Sequence, residues 1–363
     1  VCPAAFVALR NSARIAELSR SNLSVRLLRW YDTSFRPLPW RRDHEAYRVW
    51  VAEIMLQQTR VAAVIPYYEL FLGRFPSIRS LARAPESAIL KLWSGLGYYS
   101  RARNLRLAAK QIVARHGGEF PREWKAACAL PGIGPYTAAA VLSIAWNVPL
   151  VSLDGNAARV FARIFGIRRE IRNPARWRAL ERVANALLDR NRPGDWNQAI
   201  MELGETICTP RVPLCFHCPL ARFCEARRLG LTDKIPARRK RPAPVKVSIA
   251  AAVFLDAQNR TLLVREPGRH DPVLFSRLWQ FPSVEFHERS RGGGSSLASA
   301  RACLARHLSS DLQLPRLRLV PLARARHAVT FRSITITPFL AQTPALTIPP
   351  GAKMRLVSLR SIH

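Results

Sequence analysis

Between about Leu27 and Arg228, apolar side chains recur at the three- and four-residue spacing of helices, in blocks separated by short loops carrying Pro and Gly. The clearest blocks are Tyr47–Gln58, Glu86–Leu92, Arg101–His116, Ala138–Trp146, Ala157–Phe165, Ala175–Asp189 and Trp196–Ile207. Pro66 is expected to limit the segment after the first block, because proline cannot donate to a helical ladder. No strand pattern interrupts the series, so this stretch predicts an all-α body. The period changes after Lys234-Ile-Pro-Ala-Arg-Arg-Lys-Arg-Pro-Ala-Pro244, where four consecutive basic residues fall among three prolines. Val245–Leu255, Thr261–Arg265 and Ala328–Leu340 alternate or run with β-branched residues, and a glycine-rich loop at Arg291–Ser296 precedes one helix, Ala298–His307. The predicted organisation is multidomain: a basic, poorly ordered leader over 1–26, a helical domain over 27–228, a basic Pro-rich linker over 229–245, and a smaller α+β domain over 246–363.

Composition changes this picture in one respect. Across 363 residues, 57 Lys and Arg oppose 24 Asp and Glu, a net charge of +33, and only seven of the basic residues are lysine. Guanidinium forks match phosphate oxygens and base edges, so a polyanion is the expected partner. An arginine-rich genome that scatters solvated charge is the bland alternative. No run of about 18 apolar residues appears, so no membrane span is expected. Of seven cysteines, Cys2, Cys128 and Cys303 stand alone, while Cys208, Cys215, Cys218 and Cys224 fall within 17 residues. That distribution suits a metal site in a reduced compartment better than a disulfide framework.

Three constellations carry chemistry. Leu130-Pro-Gly-Ile-Gly-Pro-Tyr-Thr137 lies at a helix junction. Gly132 and Gly134 permit a tight turn with outward N–H groups, and the helix start behind them completes an anion site suited to one phosphate. A plain turn between two helices is the alternative. The spacing Cys208-x6-Cys215-x2-Cys218-x5-Cys224 contains one short pair rather than the two knuckles of structural zinc, and it suits the larger [4Fe–4S] cube. Finally, acids inside the helical blocks stand out because acids are scarce. Glu53 sits on an apolar helix, where burial raises a carboxyl pKa and makes it a proton donor. Asp154 precedes a helix, where it serves equally well as an N-cap. Two carboxylates suit cleavage of a glycosidic bond, one protonating the leaving group and one stabilising the sugar cation.

The glycine string, with Trp50-Val-Ala-Glu53-Ile-Met-Leu-Gln-Gln-Thr59, Gly95-Leu-Gly-Tyr-Tyr-Ser-Arg101 and Leu153-Asp154-Gly-Asn-Ala-Ala-Arg-Val160, resembles the helix-hairpin-helix DNA glycosylases of the endonuclease III/MutY family. The four cysteines match that family's cluster loop. The resemblance implies a DNA N-glycosylase of base excision repair that acts on duplex DNA as a monomer and removes adenine opposite 8-oxoguanine or guanine. It implies that Glu53 protonates the base and activates water, that Asp154 stabilises the sugar, and that Tyr136 and Asn156 orient them. It places Trp40 and Arg41 at the adenine, Gln58 and Tyr98 as wedges, and Thr59 and Leu96 at the opposite base. Gln57, Gly132, Gly134 and Thr137 are further DNA contacts. Bifunctional relatives carry lysine where this chain has Tyr136; a phenol cannot form their Schiff base, so a simple hydrolase is expected.

Ser276-Arg-Leu-Trp279-Gln-Phe-Pro282 resembles a stretch of Nudix-like modules, which in this family read 8-oxoguanine. The acid-rich, magnesium-binding helix is missing, since Leu297–His307 contains no acid, so binding without hydrolysis is expected. Relatives carry a Phe-Ser-His loop there. Counted without a gap from His327, this chain offers Val329-Thr330-Phe331, with Thr330 as the hydrogen-bonding contact. The other register is Phe331-Arg332-Ser333. Alternatives to the adenine reading are a glycosylase for another mismatched base, or a non-catalytic iron–sulfur protein that scans DNA. A cytoplasmic place in a bacterial cell, on nucleoid DNA, is expected.

Overall fold

Helix Ala46–Leu56 runs through the middle of the helical unit, which explains its composition: nine of its eleven residues are buried, and only Arg48 and Leu56 are not. Glu45 caps it, its carboxylate accepting from the Tyr47 and Arg48 N–H groups at 3.0 and 3.2 Å. The computed structural model describes residues 14–18, 22–237, 243–265, 279–287, 296–315, 317–329, 332–348 and 353–361. These fall into two compact units, divided between Arg239 and Lys240.

The first unit is all α, and its predicted helices stand within a few residues of their expected bounds: Glu86–Leu92, Tyr99–Arg115, Pro135–Trp146, Gly155–Ile164, Pro174–Leu187 and Pro193–Thr206. It contains two apolar cores. One is built from residues between Leu38 and Ile144, around Trp50, Phe71 and Trp93; the other joins Leu18–Tyr31 to residues between Leu153 and Ile235, around Phe161 and Trp196.

Three expectations need correction. Residues 14–18 are helical and Leu23–Ser34 is a full helix, with Leu18 and Leu23 fully buried, so this part of the expected leader belongs to the second core. The start of the expected linker is also packed: Ile235 is buried, and its carbonyl accepts from Arg163 Nε at 2.9 Å. Pro66 does not limit its segment, because helix Val61–Arg74 continues through it. The bond that proline omits would have ended on the carbonyl of Ala62, an exposed residue.

The second unit is α+β. Strands β1 (Val245–Leu255), β4 (Ser283–Phe286), β5 (Leu319–Pro321), β6 (Ala325–Val329) and β7 (Arg332–Gln342) form one sheet in the order β4-β1-β7-β5, with β6 also paired to β7. The centre is a parallel pairing of β1 with β7 from Val245↔Arg332 to Leu255↔Gln342. Strands β2 (Arg260–Arg265), β3 (Trp279–Gln280) and β8 (Met354–Ser358) form a second sheet, and helix Ser296–Arg306 buries Ala300 and Leu304 in the unit's core. The run Ala328–Leu340 is not one strand but the antiparallel pair β6 and β7, with Val329 opposite Arg332. Thr330 and Phe331 lie outside the described residues, as does the Ser276–Leu278 part of the Trp279 motif.

Candidate active site

A cleft of about 610 Å³ opens in the helical unit, lined by apolar side chains of the first core and by polar ones from several helices. Glu53 comes from the central helix and Tyr136 from the first turn of helix Pro135–Trp146. Asp154 and Asn156 come from the start of helix Gly155–Ile164. Trp40, Arg41, Gln57, Gln58 and Thr59 line the same cleft. Residues more than a hundred positions apart in sequence thus converge on one space.

The carboxylates meet different surroundings. Glu53 is only 7% exposed, and burial pushes its pKa up to about 7. The Tyr136 hydroxyl pulls it part of the way down, the Asp154 charge pushes it up, and Arg41 pulls it down. Burial raises the Tyr136 phenol well above its usual range, with Glu53 and Asp154 adding to the effect, so it stays a neutral donor. Asp154 is half-buried and does cap its helix, its Oδ1 accepting from Ala157 N–H at 2.7 Å. The capping and the functional readings of Asp154 are therefore compatible: the cap fixes one oxygen while the residue lines the cleft. Asn156 Oδ1 accepts from Arg159 Nη2 at 3.1 Å, which sets the side chain's orientation.

Arg41 differs from a free base-reading cation. Its Nη2 donates to Glu202 Oε2 at 2.8 Å and its Nη1 to the Arg36 carbonyl at 3.1 Å, with the guanidinium over the Tyr31 ring. Arg36 grips Glu202 with two further bonds of 2.6 and 2.9 Å. Sequence reasoning missed Glu202, the partner of Arg41, and it missed Gln198, Met201 and Glu205, which line the cleft. The scarcity of acids that singled out Glu53 would have singled out Glu202 and Glu205 as well.

Among the proposed DNA contacts, Gln58 and Tyr98 are exposed, and both have positive φ, 59° and 50°. The Leu96 side chain is buried in the first core. Thr137 is buried too, its hydroxyl accepting from Gln57 Nε2 at 3.4 Å, so it links the hairpin to the cleft rather than facing outward. The two hairpin glycines differ. Gly132 has φ +76°, and a Cβ there would meet the Asn104 side chain at 2.7 Å. Gly134 has φ −92°, open to any residue, and apart from its chain neighbours nothing lies within 4 Å of where its Cβ would sit. Only Gly132 is needed for the turn; Gly134 leaves open space at the start of a helix whose first N–H groups lack helical partners.

The four clustered cysteines line one small cavity, with Arg163 and Arg227 beside them. All four thiols are free and half-buried. Buried Arg163 donates to Cys208 Sγ at 3.2 Å and to the Thr209 carbonyl at 2.7 Å, while Arg159 Nε donates to the Cys208 carbonyl at 2.9 Å. The donor set is sulfur alone on an anchored backbone, which fits a thiolate-bound group. Among the described residues no set of three or more His, Cys, Asp or Glu meets the geometry for a single metal ion.

Residues 51–186 match the HhH-GPD superfamily of base excision DNA repair proteins. The chain is 36% identical over 390 residues to the adenine DNA glycosylase of Mus musculus, covering 92% of this chain and 73% of that one. It is 36% identical over 389 residues to the adenine DNA glycosylase of Homo sapiens, covering 90% of this chain and 69% of that one. Among solved structures, a thermostable thymine-DNA glycosylase aligns at 28% identity and TM-score 0.53, covering 59% of this chain and 99% of that chain. A non-covalent endonuclease III–DNA complex aligns at 18% identity and TM-score 0.50, covering 58% and 95%, and shares the helical fold.

Proposed function

Because the chain belongs to the adenine DNA glycosylases, a family of base excision repair enzymes, we propose that its substrate is duplex DNA with adenine opposite 8-oxoguanine or guanine, and that it releases the adenine without cutting the strand. The observation that carries the chemistry is the buried carboxyl of Glu53, its pKa raised to about 7, in the same cleft as Asp154. Glu53 gives its proton to the leaving adenine as the glycosidic bond stretches. The charge of Asp154 faces the cationic sugar that remains. Glu53, now ionised, takes a proton from the water that attacks the sugar. Tyr136 keeps its proton and orients Glu53, and having no amine it forms no Schiff base with the sugar.

Adenine reaches this cleft only after leaving the base stack, at a cost of a few kcal/mol. Gln58 and Tyr98 are suited to fill the gap, being exposed on loops next to the cleft or to its helix. The turn at Gly132 and Gly134 is suited to hold a backbone phosphate. In the cysteine cavity, Cys208, Cys215, Cys218 and Cys224 would hold a [4Fe–4S] cluster, which when bound supplies a rigid cross-link between loop segments. The α+β unit is read as the module that examines the opposite base, with Thr330 as the hydrogen-bonding contact.

Alkali-induced strand cleavage on duplexes carrying adenine opposite 8-oxoguanine, guanine and cytosine, and thymine opposite guanine, tests the substrate. Excision is expected on the first two alone, and borohydride should trap no major adduct. Preferential excision of thymine, the activity named for the thymine-DNA glycosylase neighbour, would replace this reading.

A further inference from the structure

Arg101 is 9% exposed, and among the described residues none of its hydrogen-bond partners is a carboxylate. Burying a guanidinium without a counter-charge is costly, and an apolar side chain would fill such a core at no such cost. What the cation supplies instead is reach. Its Nη1 donates to the carbonyls of Ile54 at 2.9 Å, Met55 at 2.8 Å and Gln57. Its Nη2 donates to Thr59 Oγ1 at 3.2 Å and to the carbonyls of Leu96 and Gly97 at 3.3 Å each. One planar fork therefore ties the end of the central helix and the loop after it to the loop that starts helix Tyr99–Arg115.

Each tied loop displays one non-glycine residue in the left-handed backbone region, Gln58 in the first and, directly after Gly97 with its own positive φ, Tyr98 in the second. Such conformations persist only where the surroundings over-determine them. At the second loop the guanidinium lies against the Tyr98 ring, 5.3 Å to its centroid, and against Trp93 at 5.5 Å. Trp93 Nε1 adds a bond to the Gly97 carbonyl at 3.0 Å. The exposed phenol ring is thus held on a buried cation before any ligand is present.

We propose that Arg101 is a positioning residue that joins loops 57–59 and 96–98 into one preset wedge, so that base extrusion does not wait for each loop to order separately. The proposal rests on the reading of Gln58 and Tyr98 as wedge residues. Lysine keeps the charge but offers one nitrogen in place of a fork, and it cannot span both loops.

Three measurements on the full chain test this. In the free protein, Arg101→Lys should speed amide hydrogen exchange in residues 57–59 and 96–98 together, with helix Gly155–Ile164 unchanged. Single-turnover excision should fall by roughly a hundredfold, the scale of an ångström-level misplacement, while affinity for undamaged duplex holds. With 2-aminopurine opposite 8-oxoguanine and Glu53→Gln to withhold chemistry, adding Arg101→Lys should abolish most of the fluorescence rise that reports extrusion. Loosening of one loop alone, or of neither, overturns the proposal, as does unchanged extrusion. If Arg101→Lys does not fold, Trp93→Phe takes its place, since it removes the Gly97 bond and weakens one face of the stack. Both loops should then exchange faster, and a change confined to 96–98 counts against coupling. If Gln58→Ala and Tyr98→Ala leave extrusion intact, the wedge reading fails, while the exchange data still decide whether Arg101 couples the loops.

Discussion

Helix Gly155–Ile164 serves two places that treat charge in opposite ways. At its start, Asp154 and Asn156 face the cleft, where Glu53 is buried and held near neutrality in pKa. Further along, Arg159 and Arg163 are buried against the cysteine loop and spend most of their donors on backbone carbonyls, with one bond to Cys208 Sγ and one to Asn156 Oδ1. The cleft keeps a proton available because burial opposes ionisation there. The cysteine side uses fixed cations to clasp a loop that has little secondary structure of its own. Substitutions at the cleft should therefore change rate more than stability, and substitutions at the cysteine cavity should do the reverse.

The largest expected effect is at the cleft. Glu53→Gln should lower single-turnover adenine excision by at least about a hundredfold, the low end for lost acid catalysis, with duplex affinity retained. In the wild type, excision should fall as pH rises above about 7, because the proton that Glu53 donates is then lost. A rate that is flat from pH 6 to pH 9 breaks the assignment.

At the other end, Cys218→Ser should reduce bound iron well below the about four per chain expected for a thiolate-held cube, and it should lower the melting temperature. Stoichiometric zinc in anaerobically purified wild type, with little iron, removes the cluster from the comparison.

A third prediction tests the contrast through stability. Glu53 has a folded pKa of about 7, above its ordinary value of 4.5, so the folded state binds its proton more tightly than the unfolded chain does. This contribution is fully present below about pH 4.5 and is lost as pH rises through 7, a difference of about 3 kcal/mol. Glu53→Gln should therefore raise the melting temperature by several degrees at pH 8 and by much less at pH 5, measured calorimetrically. Equal shifts at the two pH values would mean that the carboxyl is not held by burial.

The smallest effect separates the hairpin glycines. Gly132→Ala forces a side chain into φ +76° against Asn104 and should cost about 1 kcal/mol of stability. Gly134→Ala has ordinary φ and free space, so it should leave stability unchanged while weakening duplex binding, read by fluorescence anisotropy. If both variants bind DNA normally, this turn is not a phosphate site.

Local pattern foretold most of the helix positions and the α-to-α+β change near residue 240, and motif resemblance picked out Glu53, Asp154 and the four cysteines as candidates. Such features depend on spacing and on residue chemistry, which neighbours in sequence carry. The packing of Leu18 and Leu23 was not legible, because their partners lie more than a hundred residues away in the core around Phe161 and Trp196. The same distance hid the pairing of Arg41 with Glu202, and so the state of a residue that the resemblance places at the adenine. Pattern also left open whether Asp154 was a cap or a catalyst; the fold uses it as a cap within the cleft. Sequence determines which groups are present and which local backbone they prefer. Burial, counter-charge and the meeting of distant loops at Arg101 arise only when the chain closes on itself, because they depend on what surrounds a residue in space.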